Sequence, residues 1–127
     1  MKPSWGAVIF LIWSGAMACR FIPDNPDGAQ LYAEKCASCH GAQGEGLRQL
    51  IPPINDLRRL QVIGDSLPCL LRYGISASPA RGQPPMPAFP ELEADDVAAL
   101  WGHLFSLAGQ PEARFTLADI RRSGCMD

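Results

Sequence analysis

The clearest pattern of apolar and polar positions lies between residues 91 and 108. Leu92, Val97, Leu100, Trp101, Leu104 and Leu107 or Ala108 recur near the 3.6-residue period, which predicts an amphipathic helix over 91–108. Glu91, Glu93, Asp95 and Asp96 load its first turns with negative charge, favourable at the positive end of the helix dipole. Gly109-Gln110-Pro111 is a stop signal. Upstream, "GAQLYAEKC" (Gly28 to Cys36) predicts a second helix, with Asp27 as N-cap and Leu31, Tyr32 and Cys36 on one side. Residues 57–62 suit a short helix. Residues 65–74 suit another, with Pro68 in its first turn and Gly74 at its end. The tail "ARFTLADIRRSGC" has room for one more helical turn, with Thr116 as its cap. Residues 41–56 and 75–90 are rich in Gly and Pro and predict loops. No run shows the two-residue period of a strand, and no repeat is visible. The expected class is therefore all-α, three to four helices joined by long Gly/Pro loops. Loops of that length support a small core poorly, and a bound group filling the middle would resolve the difficulty.

The N-terminus follows a different pattern. Met1-Lys2-Pro3-Ser4 precedes an apolar run from Trp5 to Trp13, and Ser14 to Ala18 are small except for Met17. A basic start, a short apolar centre and an A-x-A-like site read as an export signal over residues 1–18. The run falls short of the roughly 20 apolar residues of a membrane-spanning helix. Cys19 would then lead the exported chain. "AMAC" resembles a bacterial lipobox, although Ala16 stands where that box usually carries Leu; plain secretion is the rival reading. Residues 19–27, with two prolines and no period, read as a tether. Without residues 1–18 the chain loses Lys2, leaving 10 Lys and Arg against 13 Asp and Glu. That acidic balance argues against nucleic acid as a partner.

Five cysteines remain to be placed: Cys19, Cys36, Cys39, Cys69 and Cys125. Cys36 and Cys39 stand in "KCASCHG" with His40 directly after. A zinc site needs four ligands, and no second closely spaced pair is present. A thioredoxin-like redox pair needs a βαβ setting, which the pattern lacks. The contiguous C-x-x-C-H string reads instead as the attachment site of a c-type haem. Each thiol adds to one haem vinyl group, and His40 is then held where its imidazole can ligate the iron. If lipid takes Cys19, Cys69 and Cys125 remain as an even pair in an oxidising compartment.

Haem iron takes its sixth ligand mainly from His or Met. Met1 and Met17 leave with the signal, and Met126 is next to the C-terminus. His103 lies inside the 91–108 helix. Met86 sits in "PPMPAF", a proline-bounded loop able to hold a thioether with little entropy lost. The alternative for Met86 is core filling.

With these pieces in place, the chain resembles a class I cytochrome c over about residues 27–108. The order is Gly28 and Tyr32, then Cys36-Ala37-Ser38-Cys39-His40-Gly41, then "IPPI", "MPAF" and "LEADDVAALWGHL". The resemblance implies a cytochrome c fold over 28–108, one covalent haem c, and a C-terminal extension over 109–127. It implies that a proline carbonyl, that of Pro52 with Pro53 as the alternative, accepts from the other nitrogen of His40. It also implies a close crossing of first and last helices, which Gly28 would permit. His103 occupies a position where the family often carries an aromatic, and reads as a packing residue. A Cys69–Cys125 bridge would tie the tail back over the body, worth about 3–4 kcal/mol on the loop-entropy model. Exported bacterial cytochromes with a short tail show a similar arrangement.

The implied function is one-electron transfer without enzymatic turnover. Iron held by His40 and Met86 has no open position, and Met ligation raises its potential. Expected partners are redox proteins: a dehydrogenase or quinol-oxidising complex on one side, a terminal acceptor on the other, with lipid on Cys19 confining the traffic to a membrane surface. Two alternatives stand. One is a haem subunit docked on a larger oxidoreductase. The other is a small-ligand-binding or peroxidase-type protein with an open sixth position, for which no acid–base constellation speaks.

Overall fold

The structure, a computed structural model, describes residues 27–126. The expected export signal over 1–18, Cys19 and residues 20–26 of the tether lie outside the described residues. Among the described residues six α-helices follow one another: α1 (Gly28–Lys35), α2 (Ala37–His40), α3 (Leu57–Ile63), α4 (Leu67–Tyr73), α5 (Ala94–Leu107) and α6 (Leu117–Arg122). Single 3-10 turns cover Gly64–Ser66 and Pro79–Arg81. Among the described residues there are no strands, only isolated bridges such as Ile75 with Met86.

The helix count exceeds the expected three to four for local reasons. Asp27 caps α1 through its carboxylate, which accepts from Ala29 N–H at 2.9 Å. The chain then turns at Cys36 and restarts as α2, so the single helix expected over 28–36 ends one residue early and a second follows. The helix expected over 91–108 begins at Ala94. Glu93 stays extended, and its N–H donates to the Asp96 carboxylate at 2.9 Å. That carboxylate therefore closes the helix start instead of only adding charge to it. Thr116 and Asp119 form the reciprocal cap of α6: Thr116 Oγ1 accepts from Asp119 N–H at 3.2 Å, and Thr116 N–H donates to Asp119 at 3.0 Å.

Helix α5 is the spine. Its predicted face is buried at Val97, Leu100, Trp101 and Leu104, with Leu92 just ahead of it, while Leu107 and Ala108 sit at the margin. Helix α1 crosses it so closely that a Cβ on Gly28 would collide with the Ala99 carbonyl. Tyr32 is buried at this crossing, its ring 5.1 Å from that of His103. On the far side lies the tail. Phe115 packs on Trp101 with ring centroids 4.2 Å apart, and Ile120 and Met126 are buried in the same core. Residues 109–126 thus contribute to the core through Phe115, Ile120 and Met126. Cys69 of α4 and Cys125 of the tail stand with Cα atoms 5.1 Å apart, inside the usual disulfide span.

The crossing generates a contrast. Gly28→Ala should cost about 1–3 kcal/mol through overpacking against backbone. Gly102→Ala, where a Cβ meets nothing within 4 Å, should be neutral or gain up to about 1 kcal/mol in helix propensity. Denaturant midpoints of the two holoproteins read the difference; equal midpoints would refute the close crossing.

Candidate functional site

The turn from Cys36 to Gly41 is helical, and this fixes its chemistry. Both Cys39 N–H (3.1 Å) and His40 N–H (2.9 Å) donate to the Cys36 carbonyl. Positions i, i+3 and i+4 share one helix face, so Cys36, Cys39 and His40 all point into one cavity. Gly41 ends the turn with a φ of 79°, and its carbonyl accepts from the Tyr32 hydroxyl at 2.7 Å. The His40 carbonyl in turn accepts from Gly46 N–H at 2.7 Å, which folds the following loop back beneath the turn. Gly46 is obligatory there, because a side chain would strike Ile51 and Pro52 backbone.

Two adjoining cavities of about 240 Å³ each lie against this turn. Together they fall in the volume range of cofactor sites, ~300–1,000 Å³. Five residues line both: Cys36, His40, Pro52, Ile75 and Met86. Every predicted site residue except Cys39 therefore stands on the seam between the cavities, and Cys39 lines the outer one. The inner cavity is walled by leucines of α3, α4 and α5. Neither has an acidic side chain in its lining, while Lys35 and Arg81 line the outer and Arg59 the inner.

Met86 reaches the seam because its backbone is tied down. It exchanges two hydrogen bonds with Ile75, both 2.9 Å, and Ser78 and Gln83 pair twice more at 3.1 Å. Phe89 N–H donates to the Leu71 carbonyl at 2.7 Å, anchoring the loop's exit on α4. Gly74 allows the approach, since a Cβ there would strike the Met86 carbonyl. The Ile75–Met86 bridge was invisible in the sequence. A one-residue pairing leaves no period, and only the prolines hinted at a stiff loop.

Burial sets the titrations. The Cys36 thiol is pushed up to about 11 by burial and then by Cys39; both thiols are free. Burial lowers the pKa of His40, opposed by the nearby Pro52 carbonyl. His40 Nδ1 is nonetheless buried without a partner at hydrogen-bonding geometry. A half-buried imidazole whose charged form burial disfavours, with two thiols on the same helical turn, fits the donor set of a covalently held haem. His103 lines neither cavity, and packs on Tyr32 at the helix crossing. Among the described residues no three His, Cys, Asp or Glu side chains gather as a metal site, so the zinc alternative gains no support.

The family model described as cytochrome c oxidase, cbb3-type, subunit III matches residues 23–104. The chain belongs to this family of c-type cytochrome domains. The fold is the all-α cytochrome c fold, and the cofactor of such a domain is covalently bound haem c. Domains of this type transfer electrons through their haem and are typically exported. Among the described residues no helix is long and apolar enough to cross a membrane. No curated protein matches the chain.

Tyr32 supplies a pH signature of the site's scaffold. Burial first, then the Cys36 and Glu45 charges, push its phenol up to about 12. Unfolded, it ionises near 10, so between about pH 10 and 12 the unfolded chain binds fewer protons and stability falls as pH rises. Unfolding midpoints of wild type and Tyr32→Phe across pH 9–12 should show a shallower decline in the variant. Parallel curves would remove Tyr32 as the source.

Proposed function

We propose that this protein is a monohaem electron carrier with iron ligated by His40 and Met86 and the haem bonded through Cys36 and Cys39. The observation that carries the reading is the seam: His40 and Met86, from a helical turn and a bridged loop, line the same two cavities. Haem c supplies reversible one-electron iron chemistry when bound. The chain's own residues do the rest. Cys36 and Cys39 fix the ring by two thioethers. The Pro52 carbonyl, near the otherwise unpartnered His40 Nδ1, would be the acceptor that holds the ring in one tautomer. The apolar wall of α3, α4 and α5 excludes water, which favours the less charged iron state. Arg59, lining the inner cavity, and Arg81, lining the outer, would offer guanidinium donors to the propionate carboxylates of a bound haem.

Export directed by residues 1–18, lipid on Cys19 and a Cys69–Cys125 disulfide complete the proposal. The 5.1 Å Cα separation supports the disulfide. The carrier would pass electrons between a dehydrogenase or quinol-oxidising complex and a terminal acceptor. The matched family's description names an oxidase subunit, and this favours a second arrangement in which the domain works docked on a larger oxidoreductase. A peroxidase-type role, with the sixth position open, gains no support from the cavities, whose linings carry neither an acidic side chain nor a histidine other than His40.

Two measurements test this. The ferrous spectrum should be unmoved by carbon monoxide in the wild type and shift rapidly in Met86→Ala; an immediate wild-type shift would refute Met86 ligation. Denaturing intact mass should include one haem, a lipid adduct removed by Cys19→Ser, and two thiols alkylated only after reduction. Cys36→Ser with Cys39→Ser should lose the haem mass, and retention of it would refute the attachment.

A further inference from the structure

Arg72 joins three parts of the molecule that the sequence keeps apart. It lies in the last turn of α4, half-buried. Its Nε donates to the Cys125 carbonyl at 3.1 Å, and its Nη1 donates to the Pro90 carbonyl at 2.6 Å. Cys125 belongs to the tail, and Pro90 to the segment that leads away from Met86. Among the described residues no other donor reaches either carbonyl. The neighbouring residue, Leu71, accepts from Phe89 N–H, and Cys69, one helical turn earlier, stands against Cys125. The tail, α4 and residues 86–90 therefore meet at one guanidinium, whose planar fork serves two acceptors at once.

We propose that Arg72 is a positioning residue that holds Met86 in place through the Pro90 carbonyl, with the C-terminal tail as its brace. The inference rests on the Met86 ligation proposed above. Arg72 lines neither cavity, so it acts only through backbone. The loop carrying Met86 is secured on its entry side by the Ile75 bridge. On its exit side it is secured by Phe89 to Leu71 and by Pro90 to Arg72. Removing the guanidinium leaves Phe89 to Leu71 as the one tie of residues 87–90 to α4, with the exposed Lys35–Glu91 pair just beyond, and detaches the exit from the tail. The thioether then leaves the iron more often, and an outside ligand that needs the vacant position binds in proportion to the open fraction. The residues after 108 thereby acquire a role at the iron, although none of them lines the cavities.

The test is carbon monoxide binding to the ferrous holoprotein, read beside thermal unfolding. Arg72→Met should bind carbon monoxide about ten-fold faster than wild type or more. Arg72→Lys, a point donor that serves one carbonyl at a time, should fall between. Asp27→Ala removes the N-cap of α1 without touching Arg72 or the tail; it should lower the unfolding midpoint and leave carbon monoxide binding unchanged. Wild-type kinetics in Arg72→Met overturn the proposal. So does Asp27→Ala accelerating binding as much as Arg72→Met, because the effect is then one of general stability. Should Arg72→Met fail to retain haem, Arg72→Lys decides by the same criterion. Rapid binding by the wild type itself overturns Met86 ligation and this inference with it, and is distinguishable because it needs no variant.

Discussion

The contact on which the rest of the structure depends is backbone against backbone, where α1 meets α5 at Gly28 and Ala99. Only a residue without a side chain permits that approach. The crossing buries Tyr32 against His103, and Tyr32 in turn holds the Gly41 carbonyl through its hydroxyl. The helical turn from Cys36 to His40 is thus suspended from α1 at a fixed height above Leu100 and Leu104, which floor the inner cavity. A wider crossing would lift the thiols and the imidazole away from the apolar wall they must face.

The grouping of Cys36, Cys39 and His40 was legible because the haem attachment expected of them needs contiguous residues. Cys36, Cys39 and His40 could be read from spacing alone, and one helical turn places them together. The spine was legible for a different reason: a 14-residue amphipathic helix repeats its pattern often enough to be counted. Met86 was reached by eliminating rivals, and what holds it was not legible at all. Its bridge to Ile75 is one pair long, and its exit hydrogen bonds join residues from distant parts of the chain.

The tail's return over the body and its Thr116 cap were legible, but its share of the core was not. Met126 was set aside as terminal, yet it is buried with Ile120 against the core. A run of 16 residues after Gln110 with only Phe115, Leu117, Ile120 and Met126 as large apolar side chains shows too little periodicity to announce burial. Its docking is decided by what α5 leaves uncovered, chiefly Trp101, whose ring accepts Phe105 on one side and Phe115 on another. Sequence reasoning finds faces, but it finds which face meets which only where a motif or a cysteine pair marks the partner.

The crossing also carries an entropic cost that the rest of the site does not. The Cys36–His40 turn, the Ile75–Met86 bridge and the cap of α6 are all closed by residues near one another in the chain. Helices α1 and α5 are far apart in sequence, so their meeting bears the cost of closing a long loop. The apolar surface buried there, Tyr32 on one side and Leu100 and Leu104 on the other, is what offsets it. Those three side chains also line the inner cavity. The cavity wall and the contact that closes the longest stretch of chain are thus made by the same residues.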